Sequence, residues 1–169
     1  MKNSKRIGIY PGTFDPIHEG HIAFALEAAK KCRLDKVVFM PESAPRGKHN
    51  VSSLAIRTKQ ITDKIKTYPN LDMFILDQLR FTVDNTLPLL QSLYPHCELT
   101  LLVGSDVAQN LGSWPNIGKL ASVVSFAVGA RDSESSATLN SQLQSLQLKF
   151  KVIQTAHGHL SSTKIRAAS

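Results

Sequence analysis

The chain has 169 residues, of which 42% are hydrophobic and 20% are charged. This length predicts a single domain with one sizeable core over residues 1–169, and the composition is typical of a soluble globular protein. No apolar run approaches the roughly 20 residues that span a bilayer, which argues against a membrane protein. The segment after the basic start is too short for a signal-peptide core. We therefore expect a cytoplasmic protein.

The formal net charge is +7, which favours anionic partners. The basic residues are scattered and only 7% of the chain is aromatic, so the pattern does not favour a nucleic-acid surface. A small, highly charged substrate such as a nucleoside triphosphate suits this charge better. Cys32 and Cys97 are far apart and form no metal-type pair, so we expect two reduced thiols.

Short apolar runs alternate with helical patterns along the chain. The predicted strands are 7–10, 36–40, 71–76, 99–103, 123–128 and 150–154. The predicted helices are 22–32, one from Ser52 or Ser53 to about 67, one capped by Asp84 or Asn85 and running through Leu93, one near 118–122, a weak one over 141–148 after a serine-rich loop, and a last short one capped by Ser161 or Ser162. This alternation predicts a Rossmann-like, doubly wound α/β fold with a mostly parallel sheet.

The stretch from Gly12 to His21 reads G-T-F-D-P-I-H-E-G-H and joins the first strand to the first helix. Unpaired N–H groups and the dipole at a helix start form a natural phosphate seat, and glycines allow close approach. His18 and His21 are three residues apart, so they share one face of the first turn. Two imidazoles at an anion seat indicate chemistry on a phosphate. A zinc site is a weaker interpretation, because the H-E-x-x-H spacing is absent.

Three other stretches carry polar groups to the same predicted edge of the sheet. L-L-V-G-S-D ends a strand and places Asp106 there. L-S-S-T-K-I-R combines serine caps with the donor fork of Arg166. P-R-G-K offers Lys48 as a phosphate-binding lysine, with Arg57 as a weaker second candidate.

These motifs resemble those of the nicotinate-mononucleotide adenylyltransferases, members of the H-x-G-H nucleotidyltransferase superfamily that make the dinucleotide precursor of NAD. F-D-P-I-H-x-G-H and L-S-S-T-K-I-R carry the resemblance most sharply. G-S-D with its following tryptophan, T-V-D-N-T-L and P-R-G-K match more loosely, since the last two are stretched by one residue. Proteins of this kind generally continue past the last motif, whereas this chain stops at Ser169, which bears on its oligomer contacts and activity.

The resemblance implies transfer of AMP from ATP to nicotinate mononucleotide, with release of pyrophosphate. His18 and His21 would be catalytic and would bind phosphate oxygens. The other implied ATP-binding residues are Gly12, Thr13, Phe14, Lys48, Gly104, Asp106, Ser161, Ser162 and Arg166, and the acceptor would contact Thr86, Trp114 and Arg131. Mg²⁺ would arrive with ATP and need few protein ligands, so no dedicated metal site is expected. The expected partners are ATP and a mononucleotide, and neither nucleic acid nor a membrane is expected to bind. The oligomeric state is left open, and a homo-oligomer is one possibility.

Two alternatives remain at this point. A phosphopantetheine adenylyltransferase fits the length, although that family usually has threonine where this chain has His18. A nucleotide-binding sensor without turnover is the second alternative, against which the two intact histidines argue. Pyrophosphate release from ATP with a panel of acceptors separates all three.

Overall fold

The computed structural model describes residues 4–45, 47–131, 136–155, 162 and 165. In these residues the strands are β1 (Arg6–Gly12), β2 (Lys36–Pro41), β3 (Leu71–Met73), β4 (Glu98–Gly104), β5 (Val124–Gly129) and β6 (Phe150–Ile153). The helices are α1 (Glu19–Lys31), α2 (Leu54–Ile65), α3 (Val83–Leu93), α4 (Ser105–Gln109), α5 (Ile117–Ala121) and α6 (Ser136–Gln144), with a 3₁₀ turn at Leu111–Ser113. Within this part of the chain, no helix is long and apolar enough to cross a membrane.

The strands form one sheet in the order β3-β2-β1-β4-β5-β6, and every neighbouring pair is parallel. Successive side chains of a strand point to opposite faces. Ile9 and Leu101 pack into one buried cluster, with the apolar residues of α3, α4, α5 and α6, whereas Phe39 and Leu102 pack into a second with those of α1 and α2. Helices thus cover both faces, and the predicted doubly wound fold is confirmed.

The structure corrects the sequence-based prediction at three helices. Thr82, rather than Asp84 or Asn85, caps α3: its backbone is extended and its Oγ1 accepts from the N–H of Asn85 at 3.3 Å. Residues 136–144 form α6, where a loop and then a weak helix over 141–148 were predicted. Residues 105–109 form α4, where an irregular segment was predicted.

The central strands diverge toward their carboxyl ends. Pairing of β1 with β4 ends at Ile9 and Leu101, although β1 continues to Gly12 and β4 to Gly104. The chain leaves β1 toward one side of the sheet and β4 toward the other, so this is the topological switch point of the strand order. Ligands of open α/β sheets bind in the crevice at such a point.

Candidate active site

Two histidines build a reciprocal cap at the start of α1. His18 is the N-cap, and its Nδ1 accepts from the N–H of Gly20 at 3.1 Å. The Nδ1 of His21 accepts from the N–H of His18, also at 3.1 Å, and the two rings stack with centroids 3.7 Å apart. A backbone N–H can only donate, so this pattern assigns an unprotonated Nδ1 to both rings. Each neutral imidazole therefore carries its proton on Nε2 and presents one donor.

Electrostatics keep both imidazoles neutral at physiological pH. Burial lowers the pKa of His18 to about 4, with a further lowering by the Lys64 charge that the charge of Glu19 opposes. Burial lowers the pKa of His21 to about 3, with help from the charges of His18 and Lys48. Desolvation acts in this direction because it disfavours the charged form. The pair therefore offers N–H donors rather than imidazolium cations.

Aromatic side chains form the floor beneath His21. The ring of Phe14 lies edge-on to His21, with centroids 5.0 Å apart, and Tyr10 lies at 6.2 Å. Phe14 is 2% exposed and packs where a Cβ on Gly12 would come within 2.9 Å of its ring. The side chain of Phe14 therefore supports the loop, and any contact of Phe14 with a nucleotide would use its backbone. A residue with a Cβ at position 12 would disturb this packing.

The two candidate phosphate-binding cations lie in different environments. Lys48 is exposed in the loop between β2 and α2, and its charge acts on His21. Arg57 is buried, and its guanidinium donates to backbone carbonyls, among them that of Thr13 at 2.8 Å. Lys48 is thus an exposed cation whose charge reaches His21, whereas Arg57 holds the backbone around the site.

The fourth and fifth strands bring an ion pair to the crevice. Gly104 is register-paired with Gly129, so the residues that follow these strands lie side by side. Asp106 and Arg131 form an ion pair there, with Oδ2 and Nη2 2.6 Å apart, and both side chains are more than half exposed. A Cβ on Gly104 would meet no atom within 4 Å, so open space lies beside it.

The predicted acceptor residues Thr86 and Trp114 lie near the start of α3. Thr86 is fully buried; its hydroxyl donates to Oε1 of Gln78 at 3.0 Å and accepts from the N–H of Thr82 at 3.0 Å. This hydroxyl therefore organises the segment before α3. Trp114 is partly buried and lies tilted against Phe81, with ring centroids 6.1 Å apart.

The predicted C-terminal phosphate motif is described in part. Ser161 and Arg166 lie outside the described residues, whereas Ser162 and Ile165 are described and helical. The hydroxyl of Ser162 donates to the carbonyl of Pro16 at 2.8 Å. This contact places Ser162 beside the loop that leads to His18.

Sequence reasoning missed two carboxylates that join distant loops. Asp15 Oδ2 accepts from the N–H of Ser52 at 2.8 Å, and Glu42 Oε1 accepts from the N–H of Phe81 at 2.9 Å. Their partners are 37 and 39 residues away, so no local pattern announces these contacts. Arg57 did carry a signal, because it lies on the same helical stripe as Leu54 and Ile61.

The cytidylyltransferase-like family model matches residues 9–168. The chain belongs to this family. A relative from Corynebacterium kroppenstedtii, named "Probable nicotinate-nucleotide adenylyltransferase", is 32% identical over 98% of this chain and 80% of its own length. A relative of the same name from Clostridium perfringens is 36% identical over 69% of this chain. The match spans only 60% of that relative's length. Within the cytidylyltransferase-like family, the chain is thus similar to proteins named as probable nicotinate-nucleotide adenylyltransferases.

A solved structure supports the fold. Plasmodium falciparum nicotinic acid mononucleotide adenylyltransferase complexed with NaAD matches with a TM-score of 0.77, over 96% of this chain and 83% of that one. The identity is 18%, so this likeness bears on the architecture alone.

Proposed function

We propose that the protein is an adenylyltransferase that joins the AMP moiety of ATP to nicotinate mononucleotide. The observation that carries the proposal is the pair of neutral imidazoles at the start of α1, beside the crevice between β1 and β4. Their Nε2–H groups are donors held in place by the cap on the other ring nitrogen. Preorganised donors of this kind are suited to stabilising charge on a reacting phosphate. From the sequence, we also propose that the protein is located in the cytoplasm.

In the proposed reaction, a phosphate oxygen of the mononucleotide attacks the α-phosphorus of ATP. The bond from that phosphorus to the bridging oxygen breaks, and pyrophosphate leaves. His18 and His21 donate to phosphate oxygens as charge develops, while Thr13 and the loop backbone seat the α-phosphate. Lys48, Ser161, Ser162 and Arg166 hold the triphosphate tail, and Asp106 contacts the nucleotide. Positioning and charge stabilisation dominate such transfers.

Mg²⁺ would enter this reaction together with ATP. In the residues that the structure describes, no group of three or more His, Cys, Asp or Glu side chains could hold a metal ion. Asp106 offers a single, largely exposed carboxylate at the crevice. This donor set fits Mg²⁺, which keeps several waters and binds through substrate phosphates and one or two carboxylates. When bound with ATP, the ion would neutralise part of the triphosphate charge.

The proposed acceptor is the nicotinate rather than the nicotinamide nucleotide. Arg131, which lies next to Asp106, supplies a donor fork suited to the ring carboxylate. The amide carries no charge, and its NH₂ group would face donors rather than acceptors. The partly buried Trp114 offers a flat neighbour for the pyridine ring. Phosphopantetheine has no ring to stack.

The test compares kcat/KM for nicotinate mononucleotide, nicotinamide mononucleotide and phosphopantetheine, with ATP and Mg²⁺, by pyrophosphate release. The nicotinate nucleotide should be used best, and Arg131→Ala should narrow its advantage over the amide. Best use of phosphopantetheine or the amide would contradict the acceptor assignment and leave the adenylyl transfer standing. ATP binding without release of pyrophosphate from ATP in the presence of any of the acceptors would instead indicate a sensor.

A further inference from the structure

Arg57 is a charged side chain in the core: it lies on α2 and is 1% exposed. It shares a face of α2 with Leu54 and Ile61, because positions three and four apart are neighbours on a helix. Burying a guanidinium is costly unless its N–H groups are hydrogen-bonded. Its contacts therefore indicate what the buried charge does.

The guanidinium joins two loops, the first loop at residues 13–18 and the second loop at residues 42–53. Nη1 donates to the carbonyls of Thr13 at 2.8 Å and Glu42 at 2.9 Å. Nε donates to the carbonyl of Ser52 at 2.8 Å, and Nη2 makes a longer contact of 3.5 Å with the carbonyl of Ser43. One side chain thus binds the start of the first loop and both ends of the second.

A second contact joins the same two loops, and here the side chain accepts a hydrogen bond from the backbone instead of donating one. The carboxylate of Asp15, in the first loop and 3% exposed, accepts from the N–H of Ser52 at 2.8 Å. Burial lowers the pKa of Arg57, while the charges of Asp15 and Glu42 oppose that effect. The guanidinium stays charged at neutral pH, since an arginine is effectively always protonated. The two loops are therefore fixed against each other by a buried, charge-balanced set of hydrogen bonds.

The two loops carry different parts of the candidate site. The first loop ends at His18, the N-cap of α1, and the second loop carries Lys48. Lys48 has no described contact that fixes its side chain, so its position depends on the backbone of the second loop. That backbone is held at both ends by Arg57.

We propose that Arg57 is a positioning residue for phosphate binding, which sets the loop leading to His18 against the loop carrying Lys48. The inference rests on the proposed function, because the ATP triphosphate is the ligand that both loops would contact. Arg57 acts through these loops and does not itself touch the substrate. A lysine could not replace it, since an ammonium is a point charge and lacks the planar fork that reaches carbonyls of separate segments.

The first test is Arg57→Lys, measured well below its Tm. We expect kcat/KM for ATP to fall on the order of 10–100-fold, since a misplacement of about 1 Å can cost 10²-fold. The matched control is Ile61→Val, at a fully buried position one turn further along α2. It should lower Tm without changing kcat or KM. Equal kinetics for Arg57→Lys and the wild type would overturn the inference.

A double-mutant cycle with Lys48→Ala tests the route of the effect. If Arg57 acts through the loop that carries Lys48, Arg57→Lys should cost far less in the Lys48→Ala background than in the wild type. Losses that simply add would overturn the proposed route, because independent sites are additive. A merely structural role of Arg57 would not produce this coupling.

Two further measurements keep the inference testable. If Arg57→Lys does not fold, Asp15→Asn is the substitute variant, because it weakens the other contact between the loops. Asp15→Asn should also reduce kcat/KM for ATP. Unchanged kinetics in this variant would overturn the inference. Calorimetry with ATP alone separates this inference from the proposed function. Weaker ATP binding in Arg57→Lys, without turnover of any acceptor by the wild type, would overturn the proposed function only. Unchanged ATP affinity and kinetics in Arg57→Lys would overturn the role of Arg57 only.

Discussion

His18 and His21 use the same ring nitrogen, Nδ1, to cap the helix that carries them both. The cap fixes the orientation of each ring and leaves Nε2 as the protonated atom. In each imidazole, Nδ1 caps the helix and Nε2 is the donor available to a ligand. Substitutions can therefore remove the donor and retain the helix cap.

The first prediction separates the cap from the catalytic donor. Asparagine is a strong N-cap and glutamine suits the third helical position of a capping box, so His18→Asn and His21→Gln should retain the helix start. Both variants lack the imidazole Nε2–H and have an amide NH₂ group instead. Each should lose on the order of 10²–10³ in kcat, the usual cost of one preorganised donor. Tm and kcat are measured side by side.

The alanine variants are the matched controls. His18→Ala should lose kcat and, in addition, about 1 kcal/mol of stability, since the cap is gone, while His21→Ala should remain folded with heavily reduced turnover. Near-normal turnover in His21→Ala, which has no side-chain donor, would remove His21 from the mechanism.

The second prediction concerns stability at acidic pH. The folded pKa values of about 4 for His18 and about 3 for His21 lie below the ordinary value of 6.5. Between these values the unfolded chain binds more protons than the folded one, so the free energy of unfolding falls as the pH drops from about 6.5 toward 4. The full contribution is present above pH 6.5. Urea denaturation at several pH values measures this slope.

The control for this slope is the double variant His18→Asn, His21→Gln, which retains the other histidines. Its free energy of unfolding should depend less steeply on pH over the same window. An identical slope in both proteins would show that the two imidazoles are not held neutral in the folded state.

The third prediction concerns Ser105, between Gly104 and Asp106 at the end of β4. Its Oγ is buried and has no hydrogen-bond partner in the part of the chain that the structure describes. An unsatisfied buried hydroxyl costs about 1–3 kcal/mol, so Ser105→Ala should raise the free energy of unfolding by about 1 kcal/mol and Tm by roughly 2–4 °C. Thermal and urea unfolding measure both.

Ser53 serves as the comparison, because its substitution by alanine should change the free energy of unfolding in the opposite direction. Ser53 caps α2 by accepting from the N–H of Ile56 at 3.3 Å, so Ser53→Ala should lower stability by about 1 kcal/mol. If Ser105→Ala also lowers stability, the Ser105 hydroxyl has a partner in solution.

The fourth prediction concerns Arg166, which lies outside the described residues. Ser162, four residues before Arg166, contacts Pro16 in the loop that leads to His18. If Arg166 holds the triphosphate, Arg166→Ala should remove a charge-assisted contact of about 1.5–3 kcal/mol, on the order of 10–100-fold in Kd for ATP. Affinity for the mononucleotide should change little. Calorimetry with each ligand measures this.

Arg33→Ala is the control for lost charge, because Arg33 is exposed where α1 leads into β2, at the opposite edge of the sheet. It should leave ATP binding unchanged. Equal ATP affinity in Arg166→Ala and the wild type would indicate that the C-terminal motif caps a helix and does not bind the triphosphate.

Strand positions were predictable because each strand is a short apolar run bounded by turn residues. The parallel doubly wound arrangement then followed from the alternation of strands and helices. The first residues of helix α6 were predicted as a loop because its serine, threonine and asparagine residues have weak helix propensity. The spacing of Leu139 and Leu143, both buried, was the available signal.

The site was predictable where the chemistry is local in sequence. The His18–His21 pair and its helix start lie within one stretch, and the pattern alone indicated them. The roles of Arg57, Asp15 and Glu42 were not predictable, because their partners are backbone groups of distant loops. Only the folded chain brings these groups together.

The strand order has a consequence for synthesis on the ribosome. β1 pairs with β2 on one side, but its other neighbour, β4, begins at Glu98, more than halfway along the chain. Until β4 has emerged, the nascent chain has an open apolar edge along Arg6–Ile9, and such edges template association between chains. A chain arrested before Glu98 is expected to associate with others through this edge, whereas one released after Gly104 closes it with its own backbone.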